Sequence, residues 1–429
     1  MRNNYTMSLN QIALLSVHTS PLDQPGVGDA GGLNVYVVET AKRLSEKGIN
    51  VDIFTRRTSG AIANETEIFN GVKVKQITAG PFEGLTKQSL PSQLCALSAG
   101  VLREEASQKE GHYQLIHSHY WLSGQVGWVA SERWNVPLVH SMHTLAKVKN
   151  STLAQGDTPE PAERVIGEQQ VVDAASQLVA NTEAEAQDLI NLYHADPKHV
   201  SVVNPGVDLE VFSPGNQNIA RKELGIPQDA IVFTFVGRVQ PLKAPDVLIK
   251  SAHQFILDNP GLKNRVRIVV CGGLSGTGFD KPESLYSLVK ELGLTENVMF
   301  LPPSTREKLA TLYKASTLVA VPSYSESFGL VAVEAQACGT PVIATNVGGL
   351  KTTVADNKSG LLVNGHDPRT WAQALAQVSL NEKEYLQLKV GAREHALNFS
   401  WDKTVDGLIE VYERALIVKP KLVRNLKAI

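Results

Sequence analysis

Cysteine is scarce in this sequence: Cys95, Cys271 and Cys338 are the whole complement of a 429-residue chain. Three thiols without a C-x-x-C spacing build neither a disulfide framework nor a zinc knuckle, and they suit a reducing compartment. Long apolar runs are missing too. None approaches the roughly 20 residues that cross a bilayer, and Met1–Asn10 lacks the apolar stretch of a secretory leader. Nor is there an excess of one charge, with 41 Lys and Arg against 43 Asp and Glu, so nucleic acid has no basic footprint to meet. The glycine-rich run Gly26–Gly32 has no compelling acidic partner beyond it, so the mark of a dinucleotide redox cofactor is incomplete. These absences predict a cytoplasmic protein with no redox cofactor, no membrane insertion and no nucleic-acid partner.

What is present is ordinary globular composition, 43% hydrophobic and 20% charged, in a chain long enough for two or three cores. Short apolar runs alternate with longer helical patterns throughout, which predicts an α/β fold built of parallel βα units. Strands are expected at Ile12–Val17, Val51–Phe54, Val72–Ile77, Leu115–His117, Pro137–Ser141, Gln177–Ala180 and Val200–Val203. A second series falls at Ile231–Val236, Val266–Val270, Val298–Leu301, Leu318–Val321, Pro341–Ala344 and Leu361–Val363. Helical periodicity marks Gly32–Gly48, Leu90–Lys109 and Ala162–Ala175. Two such series make two doubly wound domains. The turn signals Asn204-Pro205-Gly206 and Ser213-Pro214-Gly215 set the boundary, giving one domain at 1–205 and another at 206–400. The stretch 401–429 holds an amphipathic helix, Trp401–Leu416, able to pack on either domain, and then a basic tail.

Ligands of open parallel sheets lie beyond the carboxyl ends of the strands, so the loops there carry the chemistry. After the first strand come His18 and then Gly28-Asp29-Ala30-Gly31-Gly32-Leu33-Asn34, running into a helix whose N-terminus favours an anion. Taken alone, such a loop is also what a tight structural turn looks like. Lys87, Tyr120, His143, Thr144 and Arg164 follow later strands. Their cations and hydroxyls would suit a phosphorylated small molecule, though each by itself also reads as a solvated loop residue or, for His143, a core histidine. In the second half, Arg238 and Lys243 put two fixed cations on one strand-end loop, where they can neutralise a diphosphate leaving group or merely sit in surface ion pairs. Glu326 and Glu334, eight positions apart, stand about 80° apart around a helix and can address different parts of one ligand. Amides between them, at 328–331, open that helix and can take phosphate oxygens. The plain alternative is a capping glutamate plus a solvated one.

Glu326 and Glu334 form an E-x(7)-E motif. With Val236-Gly237-Arg238, Lys243, Ala335–Val342 and Val347-Gly348-Gly349, it resembles the retaining GT-B glycosyltransferases of the sucrose-synthase-like group, glycosyltransferase group 1. Ser16–Pro21, Gly28–Gly32, Ala79–Leu85, His117–Trp128, Ile166–Gln170 and Pro322–Gly329 resemble more closely the actinobacterial inositol-phosphate glycosyltransferases of mycothiol synthesis. The likeness spans about residues 11 to 415.

That resemblance implies two Rossmann-like domains facing across a cleft, and a hexosyltransferase moving N-acetylglucosamine from UDP-GlcNAc to 1D-myo-inositol 3-phosphate with retention. It implies that His18, Asp29, Ala30, Gly31, Gly32, Leu33 and Asn34 hold the inositol, with its phosphate on Lys87, Tyr120, Thr144 and Arg164. Gln24, Pro25 and Gly32 would approach the donor from the first domain. Arg238 and Lys243 would bind its diphosphate, Glu326 the sugar hydroxyls, Glu334 the ribose, and the chain at Ser304 the uracil. His143 would stand beside the donor sugar, in a catalytic set with Arg238, Lys243 and Glu326. The family likeness also implies Mg²⁺ near Tyr313, Lys314, Ser316 and Thr340; without a carboxylate cluster such an ion would be structural. It allows a homodimer. Ser304, Lys314 and Ser141-Met142 depart from the usual residues at their positions. Hydrolytic retaining enzymes use two carboxyl groups flanking the bond; no such pair stands here, so front-face transfer is expected, the leaving diphosphate taking the acceptor's proton. Rival readings keep the fold with another acceptor, as in a sucrose-phosphate-synthase-like or mannosyl transferase, or drop catalysis for sugar-nucleotide binding.

Overall fold

A computed structural model describes residues 9–26, 30–153, 158–273 and 284–417. Asp29 and the basic tail lie outside these residues, as does the side chain of Lys87. Among the described residues the chain forms two sheets, of eight and six strands. The first contains β1 (Gln11–Leu15), β2 (Asn50–Arg56), β3 (Glu65–Phe69), β4 (Val72–Ile77), β5 (Leu115–His119), β6 (Leu138–Ser141), β7 (Gln177–Ala180) and β8 (Val200–Val202). The second contains β9 (Ile231–Val236), β10 (Val266–Cys271), β11 (Val298–Leu301), β12 (Leu318–Val321), β13 (Val342–Thr345) and β14 (Gly360–Val363).

Every apolar run expected as a strand is one. The strand that sequence patterning misses is β3, a polar edge strand antiparallel to β4. Its Glu65 lies 2.8 Å from both Lys73 and Lys75, cross-strand pairs that take the place of a buried face. All other pairings are parallel.

Strand order runs β3-β4-β2-β1-β5-β6-β7-β8 in one sheet and β11-β10-β9-β12-β13-β14 in the other. The winding therefore reverses between β1 and β5, and again between β9 and β12. Crevices for ligands open beyond the carboxyl ends of strands at such reversals. The loops after β1, β5, β9 and β12 carry His18, Tyr120, Arg238 and Glu326 respectively.

Both faces of the first sheet are covered. Ala13 and Leu15 pack with Leu97, Val101 and Val126 on one side. Ile12 and Leu14 pack on the other with Tyr36, Val37 and Leu44 of the helix Gly32–Glu46, and with Trp401, Val405, Leu408 and Tyr412 of the last helix, Trp401–Ile417. After the six-stranded sheet the chain thus returns to the first core. It crosses where Gly206 meets Trp401 so closely that a Cβ at 206 would lie 2.3 Å from the Trp401 amide nitrogen.

Candidate active site

The two carboxyl edges face each other across a cavity of about 140 Å³. One wall brings Arg238, Leu242, Lys243, Tyr324 to Ser327 and Val347 to Gly349; the other brings Thr144, Leu145, Val148, Lys149, Thr152, Thr182, Glu185 and Asp188. On the first wall Lys243 pairs with Glu326, whose Oε1 also accepts from Ser323 Oγ at 3.2 Å. The Glu326 main chain is held from behind by Gly348 and Gly349: the Gly349 amide donates to its carbonyl at 2.8 Å. Gly348 has φ +43°, and a Cβ there would come within 2.2 Å of that same oxygen. Gly329, at φ +101°, opens the helix Leu330–Ala337. Glu334, on that helix, accepts from the Tyr313 hydroxyl at 2.9 Å, and burial lifts its pKa to about 7. Ser304 donates to the Pro302 carbonyl at 3.1 Å, next to β10's Cys271.

The second wall is anchored by Arg164. Its Nη2 donates to the Thr144 hydroxyl at 2.8 Å and carbonyl at 3.2 Å, and the guanidinium lies 5.0 Å over the Tyr120 ring. Tyr120 in turn packs against His18, the rings tilted with centroids 4.3 Å apart. His18, Tyr120, Thr144 and Arg164, far apart in sequence, are therefore one cluster. Asn34 is committed internally: its amide donates to Thr19 Oγ1 and the Ser20 carbonyl at 2.9 and 2.6 Å, and its oxygen accepts from the Gly31 amide at 2.9 Å. It shapes the loop carrying Ala30, Gly31, Gly32 and Leu33. That loop reaches the opposite domain, because a Cβ on Gly32 would lie 3.2 Å from Leu330 and one on Gly31 4.0 Å from Arg238 Nε. Gln24 and Pro25 are exposed beside it, and Gly26 approaches Pro303.

Like His18, Tyr120 and Arg164, His143 is not among the residues lining the cavity itself. It is buried at φ +59°, its Nε2 2.9 Å from His119 Nδ1, and burial lowers its pKa to about 3. His117, His119 and His140 share this interior, all with depressed pKa values for the same first reason. The residues expected around Mg²⁺ do not line the cavity either. Thr340 Oγ1 donates to the Tyr313 carbonyl at 2.7 Å, Ser316 Oγ to the Leu312 carbonyl at 2.7 Å, and the Ser316 carbonyl accepts from Gln217 at 2.8 Å. Only neutral oxygens are on offer, already engaged, and no group of three His, Cys, Asp or Glu is placed for a metal among the described residues. Such a set does not fit a divalent ion acting on a diphosphate.

Lys149, Glu185 and Asp188 line the cavity without any sequence motif to announce them. Glu185, on a helix capped by Thr182, accepts from the Asn181 amide at 2.8 Å, while Oε1 finds no partner and burial raises its pKa to about 7.

Two facing Rossmann-like domains with their ligand loops across a shared cleft define the GT-B class of glycosyltransferases. The model of group 1 glycosyl transferases matches residues 216–395, and that of glycosyltransferase family 4 matches 30–211. A D-inositol 3-phosphate glycosyltransferase of Salinispora arenicola is 59% identical over 412 residues, covering 95% of this chain and 92% of the relative. One of Mycolicibacterium smegmatis is 55% identical over 406 residues, covering 95% and 91%. Among solved structures, sucrose-phosphate synthase from Thermosynechococcus elongatus superposes with a TM-score of 0.87 at 29% identity, covering 95% of this chain and 99% of that one. The chain belongs to the group 1 glycosyltransferases.

Proposed function

We propose that this glycosyltransferase moves N-acetylglucosamine from UDP-GlcNAc to 1D-myo-inositol 3-phosphate with retention at the anomeric carbon, in the cytoplasm, as a step of mycothiol synthesis. The observation carrying this reading is a cleft with one cationic, carboxylate-bearing wall and one wall built around Arg164, in a chain 59% identical to a relative named for that acceptor. Arg238 and Lys243 bind the diphosphate, with Lys243 leaving part of its pairing to Glu326 as it does so. Glu326 then faces the sugar hydroxyls, Glu334 the ribose, and the chain at Ser304 the uracil. Gln24, Pro25 and the Gly31-Gly32 loop close on the donor from the other side. His18 and residues 29–34 hold the cyclitol, while Lys87, Tyr120, Thr144 and Arg164 take its phosphate.

In the transfer the bond from the anomeric carbon to the β-phosphate oxygen breaks and one to an inositol oxygen forms on the same face. The inositol proton passes to the departing diphosphate, whose growing charge the fixed cations stabilise. No step runs through a metal; an ion near Tyr313 and Thr340 would brace the second domain. His143 supports the cleft from behind as a neutral ring.

The likeness to sucrose-phosphate synthase favours a second reading, with a hexose phosphate as acceptor. Incubation with UDP-GlcNAc and either inositol 3-phosphate, inositol or a hexose phosphate decides between them, with products resolved by mass. Inositol 3-phosphate is expected to be the good acceptor and unphosphorylated inositol a poor one. Equal use of the two would overturn the phosphate assignment.

A further inference from the structure

We propose that Lys149 is a further phosphate-binding cation of the acceptor site, and that the Glu160 carboxylate holds the phosphate's place between Lys149 and Arg164. This rests on the acceptor reading above and adds two residues to it.

The argument begins with what Arg164 has left to give. A guanidinium has five N–H donors in a fixed fork. Nε bonds Glu168 at 2.8 Å, Nη2 reaches both oxygens of Thr144, and Nη1 lies 2.8 Å from Glu160 Oε2. These contacts take four of the five N–H groups, so a phosphate that is to hold the Nη1 edge in full has to displace a partner. Glu168 cannot yield cheaply: it is fully buried and also accepts from the Ala146 amide at 2.9 Å and from the Tyr193 hydroxyl. Removing its partner would strand a buried carboxylate. Glu160 can yield. Its side chain is 20% exposed, and its main chain is fastened separately, the amide donating to Asn150 Oδ1 at 2.7 Å and the carbonyl accepting from Asn150 Nδ2 at 3.3 Å. The carboxylate can swing away while the backbone stays.

What it leaves behind is a position flanked by two cations. Its other oxygen pairs with Lys149, a residue that lines the cleft cavity. Burial works against charge on Glu160, but Arg164 and Lys149 outweigh it and hold its pKa at about 2. The place-holder is therefore an anion at every working pH. A phosphate brings more charge and more acceptor oxygens to the same two donors, which is the basis for exchange.

Two variants test this. Glu160→Gln keeps the shape and removes the competing charge; the KM for inositol 3-phosphate should fall about fivefold, the scale of a partly exposed ion pair, with kcat and the UDP-GlcNAc KM little changed. Lys149→Gln should raise the acceptor KM about tenfold, as expected for a lost charge-assisted hydrogen bond, again sparing the donor KM. An acceptor KM that rises in Glu160→Gln marks Glu160 as a mere brace for Arg164 and overturns the proposal, as does an unchanged KM in either variant. Should the wild type not use inositol 3-phosphate at all, the acceptor reading fails on its own. Calorimetry with inorganic phosphate then reads the anion site directly: tighter binding in Glu160→Gln and weaker in Lys149→Gln supports it, and equal binding in all three proteins rejects it.

Discussion

Lys243 and Glu326 hold each other at the cleft wall, so the lysine has a partner both with the donor and without it. Its charge should matter most as the diphosphate departs. Lys243→Ala is expected to cut kcat by about 10²–10³, the usual effect of losing one such electrostatic donor, and to change UDP-GlcNAc affinity far less. Steady-state kinetics on the variant would contradict this if turnover stayed near normal. The interior histidines make a different prediction. Burial depresses all four, His140 and His143 to about 3, so the unfolded chain takes up their protons near pH 6.5 while the native one does not. Glu185 and Glu334, raised to about 7, oppose this by keeping protons in the native state that the unfolded chain sheds above its own carboxyl pKa. The net is an uptake of about two protons on unfolding between pH 6 and 5, so stability falls as pH drops through that window. Thermal melting against pH reads the sign; a flat or rising melting temperature toward pH 5 would refute it.

At the level of elements, sequence and structure agree where burial writes a pattern. Parallel strands covered on both faces read as apolar runs, which is why β1, β9 and β12 could be placed to within a few residues. The polar edge strand β3 left no such trace, since cross-strand charge and not burial holds it. The site divides the same way. Arg238, Lys243, Glu326 and Thr144 were legible because they sit on strand-end loops, where chemistry concentrates. Lys149 and Glu185 were not, because only helix packing after folding turns them toward the cleft, and Glu160 was not, because its pairing with Lys149 and Arg164 exists only in the fold. His143 stands next to Thr144 in sequence yet is buried in the histidine interior, a difference of one residue that the chain alone does not encode. The loop Val347-Gly348-Gly349 tests the element scale. Gly348→Ala must fit a Cβ 2.2 Å from the Glu326 carbonyl at a positive φ, so the segment bearing Glu326 has to shift. A loss of at least about tenfold in kcat/KM with little change in melting temperature is expected, since small misplacements of reacting groups are costly. Normal kcat/KM would show that the glycine does not set the position of Glu326.

The whole molecule is joined across its cleft by more than the crossing at Gly206 and Trp401. Arg306 of the second domain lies 2.5 Å from Glu39 of the first and 3.1 Å from Asp208 at the crossing, and a Cβ on Gly273 would meet the Gly26 carbonyl at 2.6 Å. These contacts describe a closed arrangement, which bound UDP should favour by touching both sides. Arg306→Gln is therefore expected to increase the radius of gyration in solution without UDP and to lose part of that increase when UDP is added. Small-angle scattering measures both. A radius insensitive to the substitution and to UDP would mean that the closure does not depend on this bridge.

The return of Trp401–Ile417 to the first core bears on the order in which the protein can be made. The ribosome delivers that helix after the strands of both sheets, yet Ile12, Leu14 and Tyr36 need it as a lid. A nascent chain that ends after β8 has the strands of its first sheet but leaves one face partly bare. The domain synthesised first is thus the one completed last, and it waits, with sticky surface in reach of chaperones, through the synthesis of the entire second domain. Deleting Trp401–Ile417 would for the same reason damage the amino-terminal half first, and the six-stranded domain would be the part left standing.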